Sequence, residues 1–257
     1  MLKKLKILIP ILVCFCLILS GCSIGNNTGV STNENSSENK VSSETQSTEN
    51  KNENAFPTAY ATIVENLISA YPWNNGTVNV VPQNPELSYM YASASSLSDI
   101  GFALIDFDSD GQKELVLGNI KTNSVYDMYT YKNSQAVQLF SGGQRYYFVL
   151  RENNVIENHW SDSAAISGTD FYKISGDKLE LIERFTLDAT YALETGRIKD
   201  AAEATSENCL YKSKSQNKKD YEPITAENYD AQLKAYTDKN SPIDISYTSL
   251  ESYKNSK

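Results

Sequence analysis

The feature that most restricts the fold is a succession of short period-two runs cut by tight turn signals. Residues 125–132, 136–141, 145–150, 155–160, 169–174 and 179–185 are such runs, rich in β-branched and aromatic side chains. Asn133-Ser134, Gly142-Gly143, Asn153-Asn154 and Ser175-Gly176-Asp177 stand between most of them, and these are turn formers. Strands joined so closely have no room for a crossover, so they must pair antiparallel. Two further apolar runs, 102–105 and 115–117, precede them, and the sequence predicts a meander of about eight strands.

Helical stripes bracket the meander. Phe56, Tyr60, Ile63, Val64, Leu67, Ile68 and Tyr71 recur at the 3.6 period, with Pro57 at a tolerated first-turn position. Thr225 is an N-cap candidate, and Ala226, Tyr229, Leu233 and Tyr236 repeat the pattern behind it. The expected class is α+β, an antiparallel meander with an N-terminal and a C-terminal helix packed on it. Pro72 and Asn74-Asn75-Gly76 end the first helix in a long loop. The periodicity of residues 85–98 is weak, and 191–217 is polar, with 209–212 as a candidate further strand. Ile243, Ile245 and Tyr247 alternate into a last extended piece.

The loop inside residues 102–118 (FALIDFDSDGQKELVLG) carries the most chemistry. Asp106, Asp108 and Asp110 occupy alternate positions before Gly111, and Glu114 closes the set. Closely spaced oxygen donors, with a glycine able to take positive φ at the bend, suit a hard cation such as Ca²⁺. Counted from Asp106, the first half matches an EF-hand loop, but position twelve is Leu117 and the flanks are strands. A second reading stays open, in which the aspartates only make Asx-turns in a tight hairpin. The loop resembles the calcium loops of FG-GAP and integrin-type β-propeller repeats, whose second strand ends near a glycine, here Gly118. That resemblance implies ligation by the side chains of Asp106, Asp108, Asp110 and Glu114 and by the Gln112 backbone carbonyl. The motif occurs once, so a full propeller is not expected. The Ca²⁺ would then be structural, a pin for one sheet.

The start of the chain gives an address. Lys3, Lys4 and Lys6 precede an apolar run from residue 7 to 19, broken by Pro10. That is an export signal, too short for a spanning helix. Leu19-Ser20-Gly21-Cys22 resembles the lipobox of bacterial lipoproteins. The resemblance implies cleavage after residue 21, acylation of Cys22 with diacylglycerol and palmitate-type chains, and a protein held on the outer side of the cell membrane. Two or more acyl chains anchor stably where one is marginal. Residues 23–55 are mostly Ser, Asn, Thr and Glu, too polar to offset their ordering entropy, and read as a disordered tether. The expected organisation is residues 1–21 signal, 22–55 lipidated cysteine and tether, and 56–257 one globular domain. The wider layout of signal, tether, helix, single DxDxDG hairpin and YxxYxY strand also resembles a group of lipoproteins of Gram-positive bacteria.

Charge and cysteines narrow the partners. Losing residues 1–21 removes three lysines and no acid, taking the net charge from −9 to −12. Nucleic acid is a poor partner for such a chain. Cys14 and Cys16 lie in the signal and Cys22 would be acylated, which leaves Cys209 as a free thiol, with no intramolecular disulfide.

For catalysis the sequence offers little. No GxSxG, HExxH, phosphate-cradling glycine loop or Cys-His metal spacing occurs. His159-Trp160-Ser161-Asp162-Ser163 holds the sole histidine beside serines and an aspartate; a nucleophile-and-base site and a strand end running into a polar loop are the two readings. Tyr126, Tyr129, Tyr131, Tyr146, Tyr147, Trp160 and Tyr172 pack a core or line a face for sugars or peptides. The expectation is a lipid-anchored, extracytoplasmic, calcium-binding protein, a non-catalytic module for a cell-wall polymer, a peptide or a protein partner. The alternative is a cell-envelope hydrolase with a polar site near His159 or the ion loop.

Overall fold

Turn geometry sets the topology in the computed structural model, which describes residues 56–73 and 91–257. Asn133 and Ser134 take φ of 51° and 63°, and Asn153 and Asn154 take 58° and 60°. Paired positive φ matches the right-handed twist of the strands that such turns join. Gly176, at φ 65°, does the same at the next tight turn. The expected signal, the lipid site at Cys22, the tether and most of the loop after the first helix lie outside the described residues.

Among the described residues, eleven strands form one antiparallel sheet. In chain order they are β1 (Ile100–Ile105), β2 (Glu114–Asn119), β3 (Ser124–Lys132), β4 (Gln135–Ser141), β5 (Tyr146–Arg151) and β6 (Val155–Ser163). Then follow β7 (Ile166–Ser175), β8 (Lys178–Asp188), β9 (Leu210–Ser213), β10 (Glu222–Pro223) and β11 (Thr248–Ser249). Their spatial order is β10-β9-β8-β7-β6-β5-β3-β2-β1-β11, with β4 attached to β3. The long β3 is shared, since residues from Asp127 to Lys132 pair with β4 while Val125 pairs with Phe148 of β5. The first eight strands are those of the predicted meander, and β9 falls on the candidate strand at 209–212.

Four helices lying wholly among the described residues flank the sheet. In α1 (Thr58–Ser69), Pro57 is the N-cap and Tyr60, Val64 and Leu67 are the buried stripe. In α3 (Ala226–Lys239), the Thr225 side chain accepts the Asn228 N–H, as an N-cap threonine should. Two helices have no counterpart in the sequence reading. They are α2 (Ala189–Glu194), capped by Asp188, and α4 (Leu250–Asn255), capped by Ser249. At six residues each, they are too short to show a period. The expected extended piece around residues 243–247 is held by Ile243 N–H donating to the Leu150 carbonyl at 3.0 Å, and only its continuation, β11, enters the sheet ladder.

The core divides by sheet face. On one side α1 and α4 cover Ile100, Phe102, Leu115, Leu117 and Tyr129. A second cluster gathers Phe107, Val116, Met128, Phe148, Ile156 and Tyr172, the alternation expected along β1 to β7. Helix α3 covers Phe171 and Phe185 with Tyr229, Leu233 and Tyr236, the predicted stripe. Cys209 lies buried with Tyr211 and Tyr221 in a fourth cluster, and burial pushes its thiol upward. Its role is packing.

Gly118 pairs with Gly101 in the β1–β2 ladder, where β2 shifts register against β3. A Cβ at Gly118 would fall on the Ser124 carbonyl oxygen and the Tyr247 hydroxyl. Backbone on one side and a partly buried ring on the other leave it no room. Gly118→Ala should therefore cost about 1–3 kcal/mol, read as a lower urea midpoint with an unchanged slope.

Candidate functional site

The β1–β2 hairpin closes its ladder at Ile105 opposite Glu114, leaving residues 106–113 as the loop. Two of them take positive φ, Ser109 at 63° and Gly111 at 88°. The glycine is where the sequence pattern required it. Phe107 is buried in the second core cluster and pins the loop from within. From the other side Tyr60 of α1 donates its hydroxyl to the carbonyls of Lys113 and Tyr129, each at 3.1 Å.

Asp106, Asp108 and Glu114 converge, each offering one carboxylate oxygen within 4.8 Å of the others. Glu114 is fully buried. Its Oε2 accepts the Phe107 N–H at 2.9 Å, and its Oε1 accepts the Thr130 hydroxyl at 3.4 Å. Burial first, then the charges of Asp108 and Asp110, push Glu114 up to about 7. Asp108 is raised too, by burial and then by Asp110. Like charges at this spacing favour either a proton or a cation.

The remaining expected ligands are placed differently. Asp110 stands outside the converging group, and its Oδ1 accepts the Gln112 N–H at 2.7 Å. The Gln112 side-chain amide reaches β3, donating to the Tyr131 carbonyl and to Thr130 Oγ1. Both bonds use the side-chain Nε2, and neither engages the Gln112 backbone carbonyl, the expected ligand atom. The Asp110 N–H donates to Asp108 Oδ1 at 3.3 Å and the Gly111 N–H to Asp106 Oδ2 at 3.2 Å. The loop thus carries the hydrogen bonds of Asx-turns and a converging carboxylate set together. An oxygen-only donor set of this kind fits Ca²⁺ better than a softer metal.

The second candidate, 159–163, does not assemble as a sequence neighbourhood. Asp162 accepts the Tyr146 hydroxyl, Ser161 donates to the Ser163 carbonyl, and Ser163 accepts the Ala165 N–H. None of the three bonds to His159. The imidazole is instead held by Glu157, at 3.0 Å from Nε2, and by Thr169 Oγ1, at 3.2 Å from Nδ1. The tautomer that satisfies both places the proton on Nε2. Arg151 Nε donates to the other Glu157 oxygen at 2.5 Å and its Nη1 to the Asn240 carbonyl at 2.8 Å. Burial works against the Glu157 charge, yet His159 and Arg151 outweigh it and hold the carboxyl below the usual range.

Tyr147 stacks on His159, with centroids 4.4 Å apart and planes 13° from parallel. Of the aromatic side chains weighed for a ligand face, Tyr126, Tyr129, Trp160 and Tyr172 are buried, whereas Tyr147 is 51 % exposed. Glu157 was readable from strand parity, two residues before His159. Tyr147 and Thr169 were not, because they reach His159 only through the β5–β6 and β6–β7 registers.

No protein-family model, curated protein or solved structure matches the chain.

Because the folded Glu157 carboxyl lies below its unfolded value of 4.5, its contribution is present above that pH and is lost as pH falls through the folded value. Glu157→Gln should cost about 2–3 kcal/mol at pH 7. That difference should shrink in acid, as pH falls through the lowered Glu157 value and both proteins come to carry a neutral group, when urea midpoints are compared across pH.

Proposed function

We propose that the chain is a lipid-anchored, extracytoplasmic protein whose α+β domain holds one Ca²⁺ and acts as a non-catalytic binding module of the cell envelope. The observation that carries the ion is the convergence of Asp106, Asp108 and Glu114 where the β1–β2 hairpin closes. Their carboxylates, with the Gln112 carbonyl and water, would supply the oxygens Ca²⁺ takes. The role is structural. An ion there would offset the mutual repulsion of the carboxylates and the desolvation of Glu114, and would fix the hairpin against β3.

Support for the address is in the sequence: the basic start, the apolar run and Leu19-Ser20-Gly21-Cys22. No helix among the described residues is long and apolar enough to cross a membrane, so attachment in this reading rests on the acylated Cys22.

The hydrolase reading draws on the Glu157–His159–Thr169 chain of hydrogen bonds. Against it, Thr169 is 5 % exposed in the middle of β7, where a hydroxyl has little access to a substrate. The carboxylate behind the histidine is also shared with Arg151, which weakens its support of an imidazolium. These two facts favour a binding role.

Calorimetric titration of residues 22–257 bearing Cys22→Ser tests the ion. Ca²⁺ should bind with a stoichiometry of one and add about 2.7 kcal/mol of stability at a hundredfold excess over Kd. Asp106→Ala and Asp108→Ala should each abolish the response; absence of heat and of any rise in Tm would remove the ion from the proposal. In cells, Cys22→Ser should move the protein from the membrane fraction to the medium, and a variant that stayed in the membrane would rule out the lipid anchor.

A further inference from the structure

Beside the stacked Tyr147–His159 pair lies an open groove of about 330 Å³ on β5, β6 and β7, which Tyr229 of α3 also lines. That is the low end of the range of roughly 300–1,000 Å³ for small-molecule sites. Three features of it point to one ligand chemistry.

The first is a fixed aromatic ring. Tyr147 is half exposed, and an exposed tyrosine normally spends rotamer entropy when it binds. Here His159 holds the ring, and His159 is itself held at both nitrogens by Glu157 and Thr169. The platform is therefore set before a ligand arrives, and flat rings pack the C–H faces of sugar rings.

The second is the polar inventory. Ser161 and Ser167 line the groove with the imidazole and the tyrosines. The Ser161 hydroxyl, which donates to the Ser163 carbonyl, can still accept, and a serine hydroxyl such as that of Ser167 can both donate and accept. Sugar hydroxyls ask for that ambivalence.

The third is charge. The chain has a net charge of −9, yet no residue lining this groove is acidic. Arg145 is there, exposed, and its Nη1 donates to the Asp162 backbone carbonyl at 3.2 Å. Its partner is a neutral carbonyl, so the guanidinium keeps its charge and further N–H donors for a carboxylate, which arginine binds in bidentate fashion.

We infer that this groove binds a saccharide carrying a carboxylate, its ring on the Tyr147 platform and its acid group on Arg145. The inference rests on the reading of the domain as a binding module and names the module's ligand class; it does not depend on the ion.

The test titrates the soluble Cys22→Ser chain, residues 22–257, by NMR and calorimetry. The probes are the disaccharide N-acetylglucosaminyl-N-acetylmuramic acid, a hyaluronan tetrasaccharide, and chitobiose, the neutral counterpart of the first. At least one acidic probe should bind and perturb the amides of Tyr147, His159 and Thr169, with affinity above that for chitobiose. Tyr147→Ala and Arg145→Gln, both at exposed positions and compatible with the fold, should each weaken binding about tenfold. No binding by either acidic probe, equal affinity for chitobiose, or binding indifferent to both substitutions would overturn the inference. The same sample, melted with and without calcium chloride, reports the ion separately, so a silent groove and a silent loop are told apart. Release of reducing ends on incubation would uphold the saccharide assignment and sink the non-catalytic reading.

Discussion

The structure turns on a carboxylate that has no contact with solvent. Glu114 begins β2, faces inward, and ties the loop to the sheet through the Phe107 N–H on one side and the Thr130 hydroxyl on the other. A buried carboxylate is costly unless it is paired or neutralised. Two neutral hydrogen bonds compensate it only in part, which is why burial pushes it up to about 7. The position nonetheless makes sense if the same residue serves the core and the loop. By accepting the Phe107 N–H it folds the chain back just where Phe107 enters the second core cluster, and that fold brings Asp106 and Asp108 beside it. The candidate ion site is thus an extension of the core, and it does not rest on a loose surface turn.

Helix α1 packs its apolar stripe on the hairpin strands and adds to that packing one shared hydroxyl. Tyr60 reaches Lys113 at the loop end and Tyr129 on β3, so helix, loop and third strand share one contact. A similar use of tyrosine recurs under the sheet, where Tyr91 donates to buried Asp127 at 2.7 Å and Gln138 donates to its other oxygen at 2.9 Å. Burial raises Asp127 to about 6 even so. The abundance of tyrosine follows from this arrangement: the ring fills core volume while the hydroxyl satisfies buried backbone or carboxylate groups.

Strong local periodicity made β1 to β8 readable from the chain, together with α1 and α3, because turn residues and alternating side chains point the same way in each. What could not be read depends on pairing. The stack of Tyr147 on His159 exists because Tyr147 faces His159 across the β5–β6 ladder, and no periodicity specifies which residue of one strand faces which of the next. The ion loop was readable as a set of acids but not in its division of labour. All three aspartates accept a backbone N–H within the loop, a local bond that competes with ligation, but only Asp106 and Asp108 are also brought beside Glu114. Short elements such as α2, α4 and β11 hold their shape through caps and tertiary contacts, which leave little trace in composition.

Strand parity supplies the last step. Neighbours His159 and Trp160 point to opposite faces of the sheet, and each anchors a polar cluster. On the Trp160 face Arg184 lies 4.9 Å from the indole centroid and grips Asp170 through two bonds of 2.7 and 2.6 Å, while Tyr172 donates to the same carboxylate. Charge there is matched and largely buried, Arg184 against Asp170, an arrangement that holds β6, β7 and β8 together. On the His159 face the buried charges are matched as well, Glu157 against Arg151, but the chain of bonds ends at an imidazole that is 30 % exposed and stacked under an open tyrosine. One cluster closes on itself and the other ends at the surface. That difference, more than residue type, separates the cluster that stabilises the sheet from the one positioned to meet a ligand.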